Sequence, residues 1–245
     1  MIVRNTFVDL PTNGGPMRTY VYEPNASRKL PGLLLYSEIF QQTEPIRRLA
    51  VQFAGHGFLV MVPEIFHTHE PQGTVLGYDD EGKAKGNRYK TETDLATYDD
   101  DARAVIAALG SHSACNGRLG SVGFCIGGHL AFRAALQPEI LAACAFYGTD
   151  LHSGTLGVGR KADTLARSRE IKGELRLIWG QQDPHIPLQG RAAIYETLAQ
   201  SGARFTWHEF EAEHAFMRDE GGRYDPAAAR LAFSLALELF QRVLG

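Results

Sequence analysis

What the sequence lacks narrows the possibilities first. Its 25 lysines and arginines do not outnumber its 28 acids, which leaves a net charge of -3 and no basic block. Such a chain has no electrostatic reason to gather polyanions or an anionic bilayer, so neither nucleic acid nor membrane is expected as a partner. No run approaches the ~20 consecutive apolar residues that a membrane span requires. The opening, MIVRNTFVDLPTNGG, has no basic segment leading into an apolar one and hence no visible signal peptide. Cysteine is scarce: Cys115, Cys125 and Cys144 are odd in number and lack metal-ligand spacing. At least one thiol must stay outside any intramolecular disulfide, which suits a reducing compartment, so a cytoplasmic protein is expected. With no repeat, no low-complexity tract and no linker rich in Pro, Gly or Ser, residues 1–245 read as a single domain.

Apolar, β-branched runs alternate with helix-length segments along almost the whole chain. Strands are expected near 19–23, 32–37, 58–62, 118–124, 142–147, 175–179 and 204–209. Helices are expected near 44–55, 93–110, 127–136, 188–201 and 226–244. Runs such as LLLY and FLVMV are continuously apolar, a pattern of strands buried on both faces. The alternation predicts an α/β fold, a mostly parallel sheet with helices on both faces. Residues 63–90 form the longest stretch without clear periodicity. They follow a strand's carboxyl end, so they are read as a loop on a pocket rim.

The strongest local signal is Gly123-Phe124-Cys125-Ile126-Gly127, preceded by a buried strand and followed by a helix. A sharp strand-to-helix turn of this kind presents its central residue as a nucleophile, here cysteine in place of the usual serine. Glycines on either side leave room for the close approach, and a helix N-terminus favours a thiolate. An elbow requires an acid and then a histidine later in the chain, at strand ends. Asp183 ends the strand-and-turn segment LRLIWGQQD, and His214 follows the strand FTWHEF. His214 is therefore the expected base, and Asp183 the residue that orients its imidazole.

Taken together, these pieces resemble the dienelactone hydrolases (carboxymethylenebutenolidases), α/β-hydrolases with a Cys-His-Asp triad. The resemblance rests on LLLYSEIF ending at Phe40, the Cys125 elbow with Gly128, Tyr147-Gly148, GQQD ending at Asp183 with Ile186-Pro187 behind it, and EHAF around His214. It implies that Glu38 interacts with the nucleophile and helps form the thiolate when substrate binds. Glu38 also follows a strand, where an acid could instead cap a neighbouring helix. The matching oxyanion-hole donors are the backbone N–H groups of Ile39 and Ile126. Arg218, four residues after His214, matches a substrate-binding arginine, although most arginines are simply exposed. Tyr147 and Arg88 are further expected substrate contacts, with Lys83 and Lys85 competing for the position given to Arg88.

Other candidates carry less. His67-Thr68-His69-Glu70 has no third ligand at metal spacing and reads as a loop cluster. His185 is too close in sequence to Asp183 to fold back easily as the base. Cys115 is read in a hydrophilic turn, Cys144 in a buried strand, and Asp99-Asp100-Asp101 as a solvated helix face. The expected protein is therefore a hydrolase that opens an ester or a dienelactone-like enol lactone to its keto acid through a thioester. Its partner is a small, anionic substrate, and neither metal nor organic cofactor is expected. A general carboxylesterase or thioesterase of small anionic substrates stays open, as does a non-catalytic ligand-binding module on the same scaffold.

Overall fold

The structure, a computed structural model, describes residues 1–245. Two strands, β1 (Val3–Thr12) and β2 (Gly15–Pro24), form an antiparallel hairpin that pairs along its full length. After it come β3 (Leu30–Tyr36), α1 (Glu44–Gly55), β4 (Leu59–Pro63), α2 (Asp80–Glu92) and α3 (Leu95–Ser111). The second half alternates β5 (Cys115–Phe124), α4 (Ile126–Ala134), β6 (Ile140–Phe146), β7 (Glu174–Gly180), α5 (Leu188–Ser201), β8 (Arg204–Phe210) and α6 (Pro226–Leu244).

All eight strands join one sheet in the order β1-β2-β4-β3-β5-β6-β7-β8, antiparallel at β1, β2 and β4 and parallel from β4 to β8. Every residue of β3 and β4 is buried, because helices cover both faces. The alternation along β5 shows this directly: a Cβ on Gly120 would meet Leu244 of α6, whereas the next residue, Ser121, donates its hydroxyl to Ala131 of α4. Phe53 of α1 packs against Phe233 and, edge-on, Phe240 of α6, so these two helices lie on one face. This is the α/β-hydrolase arrangement. Parallel pairing brings the carboxyl ends of β3, β5, β6, β7 and β8 to one edge, and the loops there carry Glu38, Cys125, Tyr147, Asp183 and His214. No helix is long and apolar enough to cross a membrane.

The structure corrects several expectations. Residues 63–90 are not all loop, since α2 begins at Asp80 within them. Strand β1 was not expected at all; Arg4 through Asp9 are exposed, so no burial pattern marks it. Cys115 does not sit in a hydrophilic turn but is buried at the start of β5. Asp101 is not solvated either. It is buried, and both of its oxygens lie 3.1 Å from His67 Nε2.

Candidate active site

Cys125 sits between β5 and α4 with φ 60° and ψ -122°, a conformation that L-residues rarely adopt. The turn needs its glycines: a Cβ on Gly123 would lie 2.0 Å from the Gly127 carbonyl oxygen, and one on Gly127 would lie 2.4 Å from that of Ser37. Only backbone fits at either place, and this pulls α4 down onto the ends of β3 and β5. The Cys125 N–H donates to Phe146 O at 3.2 Å, and its carbonyl accepts from Gly128 and Thr149. Its side chain faces a cavity of about 470 Å³.

His214 and Asp183 reach this cavity from the ends of β8 and β7. His214 Nδ1 donates to Asp183 Oδ2 at 2.6 Å, and Asp183 Oδ1 accepts the His185 N–H at 2.8 Å. Both side chains are buried, and His214 lines the same cavity as Cys125. Burial alone would discharge His214. The neighbouring Cys125 sulfur and the bond to Asp183 outweigh it and lift the imidazole to about 10.

Glu38 occupies the turn after β3 and is 3% exposed. Burial raises its carboxyl above the ordinary range, against the pull of Arg218 and His214. Arg218 Nη1 lies 3.4 Å from Glu38 Oε2, with its guanidinium carbon 4.5 Å from the centre of the Tyr78 ring. Glu38 therefore faces the cavity, paired with a cation. Next to it, the Ile39 N–H donates to no loop or turn carbonyl, and neither does that of Ile126. Ile126 is the first residue of α4, where an N–H has no intrahelical acceptor. Both N–H groups are thus left without a backbone acceptor.

Helix α2 closes the other side of the cavity. A Cβ on Gly86 would lie 2.6 Å from the Ile39 carbonyl oxygen, so the helix backbone rests directly on the loop that carries Ile39. Lys83, Asn87 and Lys90, at i, i+4 and i+7, turn one polar stripe toward the cavity. Arg88 points elsewhere: it stacks on Tyr89 and reaches Glu92, and it is not among the cavity-lining residues. Tyr147 stands behind the cavity, buried, with its ring 5.0 Å from that of His214. Besides the His214 imidazole, the cations lining the space are Lys83, Lys90, Arg218 and Arg223, against the carboxyl groups of Glu38 and Glu220. Lys90 is held by Asp150 at 2.8 Å and Arg223 by Glu213 at 3.3 Å, whereas Lys83 has only Asp80 of its own helix.

Several lining residues were not singled out in the sequence, among them Thr149, Tyr78, Asn87, Lys90 and Arg223, and His185 was set aside as a base. The turn after Asp183 does fold back, bringing the His185 ring within 4.7 Å of His214. Even so, it is the His214 imidazole that meets the Asp183 carboxylate. His67 and His69 face Asp101 and Thr93, and no group of three or more His, Cys, Asp or Glu could hold a metal ion.

Residues 17–244 match the dienelactone hydrolase family. A Saccharomyces cerevisiae protein named "Putative carboxymethylenebutenolidase" is 40% identical over 257 residues, covering 100% of this chain and 93% of its own. The carboxymethylenebutenolidase of Pseudomonas sp. strain P51 is 26% identical and covers 94% and 92%. Among solved structures, a "Putative Dienelactone Hydrolase" from Klebsiella pneumoniae superposes with a TM-score of 0.85 at 24% identity, over 99% of this chain and 100% of that one.

Proposed function

The chain belongs to the dienelactone hydrolase family and is a hydrolase of carboxylic ester or lactone bonds; we propose that it works through Cys125, His214 and Asp183 on small anionic lactones or esters. The Cys125 sulfur attacks the substrate carbonyl, and the Ile39 and Ile126 N–H groups receive the oxyanion. Collapse breaks the ester C–O bond, His214 gives its proton to the leaving oxygen, and a thioester remains on Cys125. Water then attacks the thioester while His214 takes its proton, and the thiolate departs. An enol lactone opened this way releases an enol that becomes the keto acid. Asp183 keeps the proton on Nδ1 and steadies the imidazolium. Chemistry of this kind needs neither a metal nor an organic cofactor.

Glu38 and Arg218 couple substrate charge to nucleophile formation. A substrate carboxylate that pairs with Arg218 competes with Glu38, whose carboxyl is then available to the Cys125 thiol. Lys83 and Lys90 stand in the position expected of Arg88, because α2 turns those two toward the cavity. The domain spans 1–245, and a free catalytic thiol suits a cytoplasmic setting.

The single observation that carries this reading is the join of His214 to Asp183 at 2.6 Å beside Cys125, in a cavity with four cations. A burst of p-nitrophenol from p-nitrophenyl acetate, blocked by iodoacetamide, tests the acyl-enzyme. Steady release without a burst, insensitive to the reagent, would refute it. A panel of carboxylated enol lactones and their neutral esters tests the substrate class. Should neutral esters and thioesters turn over as fast as the anionic lactones, a general carboxylesterase fits better, and the cavity has room for them.

A further inference from the structure

His129 stands four residues after Cys125 on α4, is 0% exposed, and has no part in the chemistry above. Its Nδ1 lies 2.9 Å from the Thr149 carbonyl oxygen and its Nε2 lies 2.9 Å from Thr164 Oγ1. A carbonyl only accepts, so Nδ1 carries the proton and Nε2 accepts from the Thr164 hydroxyl. That hydroxyl in turn accepts from Arg133 Nη1 at 2.9 Å, and Arg133 is held by Asp99 and Asp163. Burial drives the imidazole down to about 4, so it stays neutral and keeps this one tautomer.

Thr149 belongs to the turn that follows β6. Two non-glycine residues flank this part of the chain at positive φ, Tyr147 at 37° and Asp150 at 62°. Backbone of this kind persists only where its surroundings over-determine it. Thr149 is also bound to the nucleophile itself, because its N–H donates to the Cys125 carbonyl at 3.2 Å. One peptide unit further on, its own carbonyl is taken by His129. The strained backbone of Cys125 and the strained turn beside it are thus tied together, and His129 fixes the free end of the tie.

We propose that His129 is a positioning residue for Cys125, acting through the Thr149 carbonyl to hold the nucleophile's turn in its reactive conformation. The inference rests on Cys125 being the nucleophile. It predicts that a donor at the Nδ1 position matters and that the contact to Thr164 matters less.

Two substitutions separate those contacts. In His129→Asn the amide nitrogen takes the place of Nδ1 and keeps the bond to Thr149. In His129→Gln the amide reaches the Nε2 position and the bond to Thr149 is lost. The Gln variant is expected to lose about tenfold to hundredfold in kcat on p-nitrophenyl acetate, with KM little changed, the usual scale for a small misplacement of a reacting group. Iodoacetamide should alkylate its Cys125 more slowly in parallel. The Asn variant should recover to within about threefold of wild type on both readouts. If the Gln variant does not fold, His129→Leu takes its place, since it also removes the donor. Equal losses in both variants, no loss in either, or a fall in kcat with normal alkylation would overturn the proposal. Cys125→Ala, measured alongside, keeps the two ideas distinct. If that variant stays active, the nucleophile assignment has failed, while the alkylation rates still report what His129 does to the thiol.

Discussion

Arg218 holds Glu38 at 3.4 Å while its guanidinium lies over Tyr78, so the cation best placed to take a substrate carboxylate already has one. A charge-assisted contact of this type is worth about 1.5–3 kcal/mol. Arg218→Ala is expected to lower kcat/KM for carboxylated lactones by roughly 10- to 150-fold. Hydrolysis of p-nitrophenyl acetate, which has no carboxylate to lose, should change little. Equal losses on both substrates would mean that the change has displaced His214, and no loss on either would remove the anionic-substrate reading.

Glu38 is the partner of that pair, and its burial already disfavours the charged form. Glu38→Gln keeps the shape and removes the base. Turnover should slow while the melting temperature stays close to that of wild type. A large drop in melting temperature with normal kinetics would instead assign Glu38 a purely structural task.

Cys125→Ala should abolish hydrolysis and leave the circular dichroism spectrum intact, because Cys125 is only partly buried and lines the cavity. His214→Ala should behave similarly. Asp183→Asn should be strongly impaired, since an amide can hold the imidazole in the wrong tautomer. Retention of more than about a thousandth of wild-type activity in Cys125→Ala would exclude it as the nucleophile.

The charge on His214 gives stability a definite pH dependence. An imidazole ordinarily titrates near 6.5, whereas this one is lifted to about 10 when folded. The folded state therefore holds a proton that the unfolded chain releases. That contribution is complete below about pH 6.5 and is lost as pH rises toward about 10. Melting temperatures of wild type and His214→Gln, followed from pH 6 to 10.5, should show the wild-type advantage shrinking as pH rises. An advantage that grows with pH would contradict the assignment.

Gly86→Ala tests the contact between α2 and the oxyanion loop. Alanine ordinarily favours a helix by about 0.5–1 kcal/mol over glycine. Here the new methyl would meet Ile39 O at 2.6 Å and Ile39 Cβ at 2.8 Å. Displacing the Ile39 N–H should reduce kcat on neutral and anionic substrates alike, up to the roughly 10²-fold cost of one oxyanion donor. Normal kcat together with a higher melting temperature would show that the loop yields without consequence.

Strand β8, before His214, is only half-buried and His214 was placed by its order after the acid, whereas Cys125 and Asp183 were legible because each follows a buried strand that announces itself as an apolar run. Glu38 was placed by the same rule at the end of β3. Helix α2 gave no such signal. Its sequence, DEGKAKGNRYKTE, packs through Gly82, Gly86 and Tyr89, so no apolar stripe marks its buried face. Without the helix its phase is hidden, so Arg88 cannot be told from Lys83 or Lys85, and Lys90 draws no attention. The burial of Asp101 depends on His67, 34 residues away, and no local pattern reports such a meeting. The fold back of His185 toward His214 likewise belongs to the turn geometry, not to residue spacing.

The backbone-to-backbone seat of α2 has a consequence for how selectivity could be re-engineered. The helix is anchored at Gly86, while its stripe of Lys83, Asn87 and Lys90 hangs over the cavity on separate turns. Side chains on that stripe can be exchanged without touching the surface that seats the helix or the elbow that presents the thiol. Saturation libraries at 83 and 87 would therefore vary which acyl groups are admitted while holding the reaction machinery constant. Position 90 is the less free of the three, because Lys90 also fastens the helix to Asp150.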